Sequence, residues 1–130
     1  MTLLDSIEEY LEDESIGTIG TDIFDGEIPL DKTNAITFVY VPSPEPDKAI
    51  PYYTQAYDVW ARYSGYDEGY GILQDIMDLL HQKENYDLDG FHVYLSYARG
   101  MIDDFDRDAE RRHLFRLSLA FVYRKASEFS

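Results

Sequence analysis

The sequence predicts an α+β fold: a mainly antiparallel β-sheet of about four to five strands, with helices packed on one face. Three observations point there. Residues 67–81, DEGYGILQDIMDLLH, repeat apolar side chains at helical spacing. Residues 114–123 alternate Phe115, Leu117, Leu119, Phe121 and Tyr123 with Leu114, Arg116, Ser118, Ala120 and Val122, the two-residue period of a long strand. The elements follow in the order helix, weak strand, strand, strand, helix, strand, strand, which is that of an α+β domain.

At the start, Leu3, Leu4, Ile7, Tyr10 and Leu11 recur at steps of three and four and mark an amphipathic helix. Thr2 with Asp5 supplies a capping box. The acids Glu12, Asp13 and Glu14 oppose the dipole at the other end, so the helix is expected to fray there. TDIFDGEIP, with a turn signal at Asp25-Gly26, reads as a short irregular strand, and NAITFVYV (34–41) as the first firm one. Pro42, Pro44, Pro46 and Pro51 bar a central strand from the next stretch and leave a proline-rich loop at about 42–55. Residues 56–64 alternate, with Tyr57, Val59, Ala61 and Tyr63 on one face and Asp58, Trp60 and Arg62 on the other. The helix that follows is expected to be capped by Ser64 or Asp67, with His81 in its last turn. Asp89-Gly90 signals a turn into a strand with Phe91, Val93, Leu95 and Tyr97 inward. Residues 103–115, DDFDRDAERRHLF, read as an exposed mixed-charge loop between the last two strands, leading into the longest one.

Composition bounds the function. One domain of 130 residues can bury a real core. A hydrophobic fraction of 45% and an aromatic fraction of 15% exclude a disordered acidic chain. Twelve Tyr suit interfaces, where a ring is buried while its hydroxyl stays wet. The absence of Cys removes disulfides, thiolate nucleophiles and Cys-ligated zinc, and fits a reducing cytosol. MTLLDSIEEYLEDE is acidic where a signal peptide is basic, and no stretch approaches the ~20 apolar residues of a membrane span. A net charge of −15 argues against wrapping on nucleic acid. That charge is polarised. Residues 1–31 hold ten acids and no Lys or Arg, whereas residues 99–125 hold seven Lys or Arg against five acids. Opposite-signed surfaces on one subunit can meet head to tail.

No chemistry assembles from the motifs. Asp104, Asp106 and Asp108 match the first alternating ligands of a calcium loop, but Ala109 stands where the loop needs Gly and Phe115 where it needs a bidentate Glu. His81, His92 and His113 are isolated from one another. Gly65, Gly69 and Gly71 surround a helix start with no P-loop Lys behind them. Twenty-six acids in so small a chain make neighbouring carboxylates unavoidable, and none is singled out as acid or base. No catalytic residue, metal ligand or cofactor is expected, and the protein is not expected to be an enzyme.

Four runs in sequence carry a resemblance: GTDIFDGEIP, NAITFVYVPSPEPD, AYDVWARYSGYDEGYGILQDIMDLLH and RDAERRHLFRLSLAFVYR. Together they resemble the minor capsid and tail terminator proteins of long-tailed bacteriophages over residues 1–125, with 103–110 more acidic than the family's usual loop. The resemblance implies a virion protein assembled in the host cytoplasm. It implies a ring, six subunits being usual, that caps the head-proximal end of the tail tube and meets the tube and head-completion proteins. Double-stranded DNA would pass through without specific binding, and the acidic side chains would either line the lumen or only keep the free subunit soluble. Another head–tail connector or stopper, or a small metal-binding regulatory protein, would be the alternatives. Interface candidates are Tyr52 and Tyr53 of the proline-rich stretch, Trp60 and Arg62 on the polar face of their strand, and Arg107, Asp108, Arg111 and Arg112 of the family-like run. Arg111 or Arg112 is expected to pair with an acidic neighbour, within the subunit or across the ring.

Overall fold

In the computed structural model, which describes residues 2–29, 32–42, 52–107 and 111–125, helix α1 (Leu3–Asp13) begins at the expected capping box. Asp5 N–H donates to Thr2 Oγ1 at 3.1 Å and Thr2 N–H to Asp5 Oδ2 at 2.9 Å. The second bond holds the Asp5 carboxyl below its usual range. Leu3, Ile7 and Leu11 form the buried stripe, and Ser15 turns left-handed at φ 62° to end the helix. Helix α2 (Tyr66–Leu80) buries Gly69, Leu73, Ile76 and Leu80. Its N-cap is Gly65, with no side-chain cap bond, so neither Ser64 nor Asp67 serves as expected. Asp67 and Glu68 instead lie in the first turn, where they face the positive end of the helix dipole. His81 stands just past the helix in extended backbone, and its Nδ1 accepts the Ala98 N–H at 2.9 Å.

The sheet has seven strands, not four to five: β1 (Ile23–Asp25), β2 (Ala35–Val41), β3 (Tyr53–Tyr63), β4 (Lys83–Leu88), β5 (Phe91–Ala98), β6 (Asp103–Arg107) and β7 (His113–Lys125). Their order is β1-β2-β3-β7-β5-β4, with β6 also paired to β7. Every pairing is antiparallel except β1 with β2. β3 covers one edge of β7 from Tyr123 to His113, while β5 and β6 share the other edge end to end. Two strands were missed because Lys83–Leu88 and Asp103–Arg107 are polar and each pairs with a single neighbour, so neither carries a buried alternation. The stretch 103–107 is therefore strand, not loop. β3 begins at Tyr53, inside the predicted loop. Residues 43–51 of that loop, and Asp108, lie outside the described residues.

Both helices cover the same face. Ile7 and Leu11 of α1, and Leu73, Ile76 and Leu80 of α2, join Phe38, Val59, Phe115, Leu117, Leu119 and Phe121 in one cluster. β5 departs from its predicted phase: the register slips between Val93 and Leu95. The extra residue turns Leu95 and Tyr97 away from the core and puts Ser96 into it, fully buried. Ser96 Oγ accepts from the Tyr86 hydroxyl and donates to the Leu80 carbonyl, each at 2.7 Å, satisfying one of the open carbonyls that end α2. At the other helix, Ser6 Oγ donates to the Asp89 carbonyl at 2.6 Å and ties α1 to the β4–β5 turn.

Two positions sharpen the energetics. A Cβ on Gly69 would stand 2.7 Å from Phe115 Cε2 and 3.0 Å from Tyr63 Cβ, whereas one on Gly71 would meet nothing within 4 Å. Glu8 is buried at 3% exposure, and its Oε1 has no hydrogen-bond partner. Burial first, and the neighbouring Asp25 carboxyl second, push the Glu8 carboxyl from 4.5 up to about 8.

Gly69→Ala should therefore lower stability by ~1–3 kcal/mol in urea unfolding, because the fully buried Phe115 ring cannot withdraw. Gly71→Ala should raise it by up to ~1 kcal/mol. An equal response at both sites would contradict the packing. For Glu8, the neutral form is the one folding favours. Its contribution is full below pH 4.5 and is lost as pH rises through about 8. The stability advantage of Glu8→Gln over wild type should grow across that window, and a difference independent of pH would refute this assignment.

Candidate assembly interface

The sheet face opposite the helices is where the predicted polar row of β3 emerges. Register sets it: Trp60 and Asp103 lie directly across from Arg116, on its two sides. Arg116 Nη2 donates to Asp103 Oδ2 at 2.8 Å, with Nε at 3.3 Å from the same oxygen. Its guanidinium lies 5.0 Å from the Phe105 ring centre and 5.6 Å from that of Trp60, and the two rings are 5.1 Å apart. A cation over two aromatic faces gains from their quadrupoles, and Asp103 fixes its orientation. One pair further along, the Ser118 hydroxyl donates to Asp58 Oδ1. Asp58, Arg99, Met101, Asp103, Arg116 and Ser118 line a groove of about 450 Å³ on this face. Met101 is 74% exposed, and Phe105 also reaches solvent.

The predicted interface residues do not gather in one place. Trp60 belongs to this cluster. Arg62, on the same strand face, is buried and donates through Nη2 to the carbonyls of Pro29 (2.5 Å) and Lys32 (2.6 Å). Arg112 is buried beside it, with Nη1 3.5 Å from the Lys32 carbonyl. Both therefore clamp the approach to β2 against the sheet within the subunit. Arg107 is exposed and borders a small recess with Tyr66, Asp104 and His113. Arg111 is exposed at φ 64°, two residues before β7. Tyr52 is 40% exposed with its ring 6.2 Å from Tyr94, and Tyr53 is half-buried against Tyr123 at 5.7 Å. Asp108 lies outside the described residues.

Sequence reasoning missed Phe105 and Arg116 as neighbours of Trp60, and Arg99, Met101 and Asp103 as groove residues with Arg116. The readable signal was the alternation in DDFDR, which sets Asp103 and Phe105 on one face once β6 is recognised as a strand. The histidines stay apart: His92 Nδ1 lies 2.7 Å from Asp87 Oδ1, His81 holds a backbone N–H, and His113 packs edge-on to Tyr66. Among the described residues no group of three or more His, Asp or Glu is placed to hold a metal ion, and no helix is long and apolar enough to cross a membrane.

A family model described as bacteriophage tail terminator protein matches residues 10–125. Among solved structures, one chain of 11% identity superposes with a TM-score of 0.58, over 95% of this chain and 97% of that chain, a likeness in fold alone. No curated protein matches the sequence.

The Arg116 cluster makes a separable prediction. Asp103→Asn removes a half-exposed ion pair and should change stability by under ~1 kcal/mol. Arg116→Ala also uncovers two rings and should cost ~1–2 kcal/mol. It should shift the emission of Trp60, the sole Trp, to longer wavelength. Unshifted emission in Arg116→Ala would show that the guanidinium does not cover the ring.

Proposed function

The chain belongs to the bacteriophage tail terminator family, a structural protein of phage tail assembly, and we propose that it acts as a ring capping the head-proximal end of the tail tube. In this reading the ring halts tube growth and then offers its other side to a head-completion protein, and six subunits are the expected number. The observation that carries the reading is the family match across residues 10–125, which spans both helices in part or whole and every strand. A second observation supports association between copies: the sheet face that neither α1 nor α2 covers carries Trp60, Phe105 and Arg116, a residue mix typical of interface centres.

The charge has a role in the same reading. α1 and α2 contain nine acids and no Lys or Arg, and each subunit carries −15. Carboxylates around a central opening repel DNA phosphates, so duplex DNA slides through instead of sticking.

When the purified protein is added to polymerising tail tube protein, tubes should stop lengthening and carry it at one end in electron micrographs. Decoration along the tube wall, or unaltered growth, would sink the capping reading. Tight retention of duplex DNA by the assembled ring at physiological salt would remove the sliding role.

A further inference from the structure

β1 and β4 stand at opposite ends of the strand order, yet α1 touches both. Toward β4, the Tyr10 ring lies 6.1 Å from that of Tyr86, and Ser6 Oγ donates to the Asp89 carbonyl of the β4–β5 turn. Toward β1, Glu8 meets the Asp25 carboxyl in a side-chain hydrogen bond. Glu12 Oε2 accepts the N–H of Ile19, which forms an isolated bridge with Ile23. The sheet therefore curls until its two ends share one helix, and α1 closes the gap as a brace. Its stripe of Leu3, Ile7 and Leu11 seals the core there.

The two ends of the brace differ in chemistry. At β4 the contacts are ring on ring and a hydroxyl on a carbonyl. At β1 two carboxyls meet, and a hydrogen bond between carboxyls exists only while one of them holds a proton. Glu8 is the buried member, and its Oε1 has no hydrogen-bond partner, whereas Asp25 is exposed. An ionised carboxylate at Glu8 would lack the pairing that burial demands. The charges that act on it are negative, Asp25 before Asp5. Tyr57 of β3 feels the same two aspartates. Of α1, β1 and β4, only β4 carries a cation, Lys83, and its Nζ lies over the Tyr86 ring, 5.1 Å from the centre. Asp87 of β4 is held by His92.

We propose that α1 is a proton-held brace, which stays docked while Glu8 is protonated and lets go as a unit when Glu8 ionises. Once released, a helix of 11 residues is shorter than the ~12–15 that persist in water, so it unravels. The strands keep their ladders, since none pairs with α1, and opening is local instead of global. Docked Glu8 holds its proton up to about pH 8, and released Glu8 gives it up near 4.5. Opening therefore gains about tenfold per pH unit between those values and levels off above them. The brace is independent of the ring reading.

Hydrogen exchange on the full chain, read by mass spectrometry and corrected for the intrinsic effect of pH, tests the brace. Amides of α1 should be less protected than those of β7. They should lose protection about tenfold per unit from roughly pH 5 to pH 8, then level off. In Glu8→Gln, whose amide donates to Asp25 without a titrating proton, α1 protection should be high and independent of pH. Asp25→Asn removes the charge beside Glu8 and should bring the levelling point to lower pH. Equal protection of α1 and β7 would show that the helix does not open by itself and would overturn the proposal. So would a wild-type α1 indifferent to pH, or a Glu8→Gln variant that keeps the wild-type slope. Should Glu8→Gln not fold, the wild-type slope and the Asp25→Asn comparison still decide.

Discussion

β7 is hydrogen-bonded on both edges, and among the described residues no other strand pairs with both halves of the sheet. On one side lie β1, β2 and β3; on the other lie the β4–β5 hairpin and β6. Without β7 the described strands fall into three separate pieces. Its residues suit the position: Phe115, Leu117, Leu119 and Phe121 are fully buried in succession on one face, the alternation a central strand needs. The constraint has a kinetic side. The pairing of Tyr53 with Tyr123 bridges most of the chain, so loop closure must precede the contacts that reward it. Folding that depends on so distant a pairing is cooperative, and the helices have no complete surface to dock on before it forms.

The same strand divides the molecule's chemistry. Its core-facing row meets two helices that carry no cation. Its other row carries Arg116, pinned between Trp60, Phe105 and Asp103, and Ser118 on Asp58. The two buried arginines nearby, Arg62 and Arg112, each reach backbone carbonyls that precede β2. Basic groups of one short region thus do two kinds of work. Some lock the subunit's own chain, and Arg116 orders the side chains of the open sheet face.

Helices α1 and α2 and the strands β2, β3, β5 and β7 were legible because each buries a stripe at its own period, and that stripe is written in Leu, Ile, Val and aromatic residues. β4 and β6 were not, since an edge strand satisfies its backbone with one partner and needs no apolar alternation. The β5 bulge was also invisible: FHVYLSYA alternates without a break, and only pairing with β7 shows that Tyr94 is the extra residue. For the candidate surface, Trp60 could be named from its polar row, but its neighbours Phe105 and Arg116 come from β6 and β7. Those are brought together by register across the sheet, a long-range fact that local pattern does not carry. Family membership was legible through the order of the four runs, each of which is weak alone.

The free edges have a further meaning. Among the described residues β4 and β6 pair on one side only, and β1, three residues long, meets just an isolated bridge from Ile19 beyond its pairing with β2. β4 presents Lys83, Glu84 and Asn85 at its edge, and Asn85 sits at φ 49°, which breaks the flat ribbon another strand would copy. Backbone templating is thereby discouraged, and recognition is left to side chains on the faces. Side-chain contacts specify an angle and can close on themselves, whereas strand-to-strand addition has no natural end. A member of a family named for finishing a polymer is thus shaped so that its own sheet does not begin a fibre.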